Sequence, residues 1–161
     1  MSQISINRND NDVFYRYKMD RVTVQFTGRG NGCFTIIDNI NTIASQLNTP
    51  GTILMNYIGI VLSSNITNNR INGHHSASVI QNIIYSYIDT VILCNHCNIP
   101  ELIPHVTGER KKKTLNLKCT ACGDSYIAIG GNKSSDKLID NIIKYYTNNA
   151  FIPIKGNNGT I

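Results

Sequence analysis

Apolar residues recur at two different spacings along this chain, and the changes of spacing mark its elements. From Arg21 to Thr27 (RVTVQFT) apolar and polar positions alternate, the period of a strand with one buried face. Gly28-Arg29-Gly30-Asn31-Gly32 interrupts the alternation with residues that allow positive φ, and Cys33 to Ile37 resumes it. The segment therefore predicts a β-hairpin with a glycine-rich tip. Asp38 or Asn39 can cap a helix that runs to about Leu47, with Ile40, Ile43, Ala44 and Leu47 on one face. Pro50-Gly51 breaks it. A short second helix is expected from Thr52, then a strand near Tyr57 to Ser63, a polar turn from Asn65 to Asn69 and a short strand from Arg70 to Asn72. Ser76 caps a longer helix, in which Val79, Ile80, Ile83, Ile84, Tyr87, Ile88 and Val91 keep the i, i+3, i+4, i+7 spacing. A last helix starts at Ser135 or Asp136 and carries Leu138, Ile139, Ile142, Ile143 and Tyr146 on one face. Helices and strands are mixed without regular crossovers, which predicts an α+β fold with an antiparallel sheet and packed helices.

Composition refines this picture. The chain has 161 residues, a net charge of +5 and a pI near 9.0. Apolar residues make up 41% of it but aromatics only 7%, with no Trp, so aliphatic side chains must fill the core. The first twelve residues, MSQISINRNDND, hold no apolar h-region, and no apolar run is long enough to span a bilayer. A soluble, cytoplasmic protein without a membrane partner is expected, with monomer as the expected state. The basic balance is compatible with an RNA or ribosome partner.

Four of the five cysteines form two C-x-x-C pairs, Cys94/Cys97 and Cys119/Cys122, with 21 residues between them. In a reducing compartment two such pairs point to a metal rather than to disulfides. Zn2+ takes four thiolates in a tetrahedron, and this separation is that of a zinc ribbon, whose knuckles are bridged by hairpin strands. Gly123 suits the tight turn after the second knuckle. All four places are filled by thiolate, so one structural ion is expected. His96 and His105 are expected as solvated bystanders, and Cys33 as a small half-buried residue. The resulting layout is a flexible N-terminal arm over 1–20, an α+β body over 21–91, a C4 zinc ribbon over 92–129, and a C-terminal helix with a loose tail over 130–161.

Three other segments carry candidate chemistry. Gly28 to Thr35 lacks the order of a phosphate loop, because Phe34 stands where Lys is required and the segment joins two strands. Its tip, with Arg29 and little side-chain bulk, can approach RNA closely. Arg110-Lys111-Lys112-Lys113 falls at the tip of the ribbon hairpin, either as a solvated turn or as a phosphate contact. Tyr15-Arg16-Tyr17-Lys18 either packs its aromatics on the edge of the core or presents a guanidinium to a partner's phosphates.

The order of these features is distinctive: an arm with F-Y-R-Y-K-M, a G-x-G-N-G loop, a small α+β body, Ile71-Asn72-Gly73-His74 before a helix, then the two C-x-x-C pairs. It resembles the N-terminal domain of the translation initiation factor 5 family, over roughly Ile4 to Tyr146. A related body and ribbon occur in the β subunit of initiation factor 2. The resemblance implies an activator, without an active site of its own, of GTP hydrolysis by initiation factor 2 on the small ribosomal subunit. It implies that Arg16 is the arginine finger that meets the γ subunit's GTP, and that Gly28, Arg29, Gly30, Asn31 and Gly32 approach initiator tRNA in the ribosomal P site. Two lysines linked to activity in that family are matched here by Phe34 and Asn56. The alternatives are a β-subunit-like module that binds without stimulating hydrolysis, and a generic zinc-ribbon RNA or transcription module.

Overall fold

A computed structural model describes residues 3–149. The expected tail from Asn148 lies almost wholly outside them. In chain order the elements are β1 (Gln3–Ser5), β2 (Lys18–Asp20), β3 (Val24–Thr27), β4 (Phe34–Ile37), α1 (Ile40–Gln46), α2 (Gly51–Leu62), β5 (Ile66–Thr67), β6 (Arg70–Asn72), α3 (Ala77–Val91), β7 (Leu102–Thr107), β8 (Thr114–Cys119), β9 (Ser125–Ile127) and α4 (Lys133–Asn148). Every strand pairing is antiparallel, so the α+β expectation is met. The strands form three sheets: β1-β2, β3-β4-β6-β5 and β7-β8-β9.

The expected β3–β4 hairpin is present, with Val24 opposite Ile37 and Thr27 opposite Phe34. Ile37, Ile71 and Thr35 point into the core, while Phe34, Ile36 and Arg70 share the outer face. Ser76 caps α3 as expected, its Oγ accepting from the Val79 amide at 3.3 Å. One apolar position of that helix, Val79, faces out and is 45% exposed.

The expected strand near Tyr57 to Ser63 is overturned: one continuous helix, α2, runs to Leu62. Ile53, Leu54, Met55, Tyr57, Ile58 and Gly59 are all buried, so α2 has almost no polar face and its sequence loses the helical period. Asn39 also departs from expectation. Its side chain makes no capping bond to α1 but accepts from the Thr23 amide and donates to the Arg21 carbonyl, joining helix to hairpin. The last helix starts earlier than expected, at Lys133. Asn132 and Ser135 form a capping box there: the Ser135 amide donates to Asn132 Oδ1 at 2.9 Å and the Asn132 amide to Ser135 Oγ at 3.1 Å. Ser135→Ala should cost about 1 kcal/mol, read as a lower urea midpoint with an unchanged slope.

The segments expected as body, ribbon and C-terminal helix share one hydrophobic core. Helix α4 packs on α2 on one side and on β7 and β8 on the other. Its Leu138 and Ile142 join Leu115, Leu117 and Tyr87 in the buried cluster. The ribbon is thereby fastened to the body by apolar burial.

Candidate metal centre, arm and glycine loop

Two equivalent backbone turns build the cysteine cluster. The Asn98 amide donates to the Cys94 carbonyl and the Gly123 amide to the Cys119 carbonyl, both at 2.9 Å. The Cys94 amide donates to the Ile99 carbonyl at 3.1 Å and the Cys119 amide to the Asp124 carbonyl at 2.8 Å. Each turn needs a left-handed residue after its second cysteine, and Asn98 (φ 58°) and Gly123 (φ 83°) supply it. The four Sγ atoms lie within 4.8 Å of one another, with Cys94–Cys122 at 3.7 Å and Cys97–Cys119 at 3.6 Å. A tetrahedron with metal–sulfur bonds of about 2.3 Å has edges of about 3.8 Å, so the donor set fits a four-coordinate metal ion.

Electrostatics agree with that fit. Burial pushes the Cys94 thiol up, but hydrogen bonds from the Cys97 and His96 amides and with the Cys122 and Cys97 thiols together bring it down to about 7. Burial and the neighbouring thiols push Cys97 up to about 12. Without a cation the cluster therefore accepts one thiolate and resists the next, whereas a divalent ion removes the conflict. His96 is exposed and lies outside the sulfur cluster, yet it is no bystander. Its Nδ1 meets Asp124 Oδ2 at 2.5 Å and its ring stacks on Tyr126 at 5.6 Å, tying one knuckle to the other. Tyr126 in turn accepts from the Asn95 amide. Sequence reading missed this bridge because nothing local aligns residues 96, 124 and 126.

The segment expected as a flexible arm is tied down at both ends. Gln3 pairs with Asp20, Ile4 with Met19 and Ser5 with Lys18, and the Ile6 amide donates to the Tyr17 carbonyl at 2.9 Å. Met19 and Ile6 are buried. Arg8 reaches α3, pairing with Asp89 at 2.9 Å and lying over the Tyr85 ring. Between these anchors, Asn7, Asp10 and Asp12 each accept from an amide two residues ahead, the Asx turns that an N-x-N-D-x-D run encodes. A surface ion pair contributes up to about 1 kcal/mol. Arg8→Ala should accordingly speed tryptic cleavage after Arg16 by up to about five-fold.

Arg16 is exposed on this loop, its guanidinium 5.1 Å from the centre of the Tyr17 ring. Burial first, and then the charge of the hydrogen-bonded Glu101 carboxylate, push the Tyr17 phenol above its usual value. Glu101 immediately precedes β7, so Tyr17 links the arm to the base of the ribbon. Phe14, 88% exposed, lies outermost in the motif.

The glycine loop closes the β3–β4 hairpin through a 3-10 turn over Gly30–Gly32. Gly28 has φ +78°, and a Cβ there would lie 1.9 Å from the Gly32 carbonyl oxygen. Any side chain at that position would force the loop open. Arg29 is exposed. Cys33, half-buried as expected, accepts through its carbonyl from the Gly73 amide at 2.9 Å, and Thr35 Oγ1 donates to the Gly73 carbonyl. The structure thus carries the three sequence-selected groups on three separate elements: arm loop, hairpin tip and paired knuckles.

A family model described as a domain found in initiation factors 2B and 5 matches residues 7–125. The chain belongs to this initiation factor family. It is similar to eukaryotic translation initiation factor 5 of Mus musculus, 37% identical over 126 residues, which are 74% of this chain and 29% of that protein. The factor of the same name in Drosophila melanogaster is 33% identical over 129 residues, 76% of this chain and 27% of that protein. That of Dictyostelium discoideum is 32% identical over 148 residues, 89% of this chain and 36% of that protein. The chain therefore spans about a third of the length of the curated relatives it matches. The matched family region takes in Arg16, the glycine loop and all four cysteines, and it ends before α4. No helix among the described residues is long and apolar enough to cross a membrane.

Proposed function

We propose that this chain is a cytoplasmic, monomeric translation initiation factor that joins the small-subunit pre-initiation complex and stimulates GTP hydrolysis by initiation factor 2. Arg16 is the group that acts, and the observation that carries the reading is its position: exposed on a loop whose two ends are clamped to the fold. In phosphoryl transfer negative charge spreads over the γ-phosphate oxygens. A guanidinium supplied by another chain neutralises that charge where it develops, with nothing further required of the supplier. The hydrolysing site itself belongs to the γ subunit of initiation factor 2.

The remaining features serve placement. The cluster Cys94, Cys97, Cys119 and Cys122 holds one structural Zn2+, whose closed thiolate shell leaves no position for substrate. The glycine loop, with Arg29 exposed and Gly28 barred from carrying a side chain, is the part suited to close approach to initiator tRNA. The deciding experiment is single-turnover GTP hydrolysis in a pre-initiation complex reconstituted with wild-type chain or Arg16→Ala, with binding to the small subunit measured in parallel.

A second reading is supported by two positions. Phe34, on the outer face of the sheet, presents a ring to Arg70 at 5.8 Å, and the exposed Asn56 on α2 carries no charge. The resemblance implies a lysine linked to activity at each of these two positions. If wild-type chain binds the complex and leaves the hydrolysis rate unchanged, the chain is a β-subunit-like binding module.

A further inference from the structure

At the end of the ribbon away from the cysteines, the β7–β8 turn and the last two turns of α4 enclose a groove of about 350 Å³. Arg110, Lys111, Lys113 and Lys144 line it against a single carboxylate, Asp140, with the Thr147 hydroxyl beside them. We infer that this groove docks the phosphate backbone of RNA, at a place separate in the fold from the glycine loop and from Arg16.

The turn is built to hold its charges in place. Thr107 and Thr114 hydroxyls meet at 2.9 Å across its base, and the Lys112 amide donates to the Glu109 carbonyl. Gly108 has φ +97°, where a Cβ would lie 2.2 Å from the Lys112 carbonyl oxygen, and Arg110 itself is left-handed at φ 55°. Lys113 Nζ donates to Thr147 Oγ1 at 3.2 Å, fastening the tip to the helix. No ion pair among the described residues engages Arg110, Lys111, Lys113 or Lys144, and the two nearby acids, Glu109 and Asp140, leave the groove strongly positive. Four cations crowded around one carboxylate repel one another, and a row of phosphates relieves that repulsion while releasing condensed counterions. No aromatic ring lines the groove, so it offers nothing for bases to stack on and no aromatic anchor for a peptide. Recognition is of backbone charge, independent of base sequence.

The test uses the full metal-loaded chain and a fluorescently labelled RNA hairpin, with anisotropy titrations across a range of salt. Lys111→Gln/Lys113→Gln is compared with Lys118→Gln/Lys133→Gln, which removes the same charge from exposed positions elsewhere. The first pair should weaken binding about ten-fold and lower the salt slope by about two, the second by about two-fold or less, with metal content and circular dichroism unchanged in both. Equal losses in the two pairs, or none in either, would overturn the assignment. So would tighter binding of a poly-glutamate peptide than of the RNA, which would make the groove a site for an acidic protein. Arg16→Ala should bind the hairpin as wild type does, so failure here leaves the GTP reading standing, and the converse holds.

Discussion

Replacing Arg16 with alanine is expected to lower the rate of GTP hydrolysis in the reconstituted pre-initiation complex by about 10³ to 10⁵ relative to the stimulated rate, the range an arginine supplied in trans is worth in GTPases. Binding to the complex should hardly change, because Arg16 is exposed and no strand pairing depends on its side chain. Arg16→Lys sharpens the test. Lysine keeps the charge but loses the planar fork that spans two phosphate oxygens, so it should restore only a small part of the rate. Tyr17 supplies a control of a different kind: Tyr17→Phe keeps the ring beneath the guanidinium and removes only the link to Glu101. A pure positioning role predicts a weaker effect for Tyr17→Phe than for Arg16→Ala. Equal hydrolysis rates with wild type and Arg16→Ala would leave the arm as a docking element and favour the binding-module reading.

The second large effect concerns the cysteine cluster. Stripping the metal with a strong chelator, or replacing Cys119 with serine, should unfold β7–β9 and release α4 from its packing on those strands. Structural zinc contributes on the order of 10 kcal/mol or more to small folds, comparable to the whole stability of most domains. Cys94 and Cys119 are fully buried beside Leu102, Leu115 and Leu117, so the cysteine cluster and the ribbon's apolar floor form one unit. Loss of far-UV ellipticity together with stoichiometric zinc release, measured with a colorimetric zinc reporter, is the expected signature. Acidification should release the same ion, because each thiolate must take a proton to leave. A metal-free chain that keeps its thermal transition would show the cluster to be dispensable.

These predictions differ in how far they were legible beforehand. The cysteines and the fold class could be read directly, because C-x-x-C knuckles and amphipathic periods are local patterns. The two knuckles share the same amide bonds, and Gly123 announced one of them. Asn98 performs the same left-handed turn in the other and went unread, since asparagine also serves in ordinary loops. Helix α2 was mistaken in part for a strand because burial on nearly all sides erases the polar face by which a helix is recognised. The arm was expected to be loose for its polar composition, yet that run of Asn and Asp folds into successive Asx turns, and Arg8 fastens it to α3.

From its residues alone this chain determined most of its secondary elements and its two C-x-x-C pairs, since each depends on neighbours within a few positions, while the resemblance to a known family singled out Arg16. Only the tertiary structure decided which groups come together: His96 with Asp124 and Tyr126, Arg8 with Asp89, Tyr17 with Glu101, and the tip lysine Lys113 with α4. Such partners lie 28 to 84 positions apart. No local propensity encodes a contact at that distance; it follows from burying one shared aliphatic core, which fixes how the elements pack and therefore which exposed groups become neighbours.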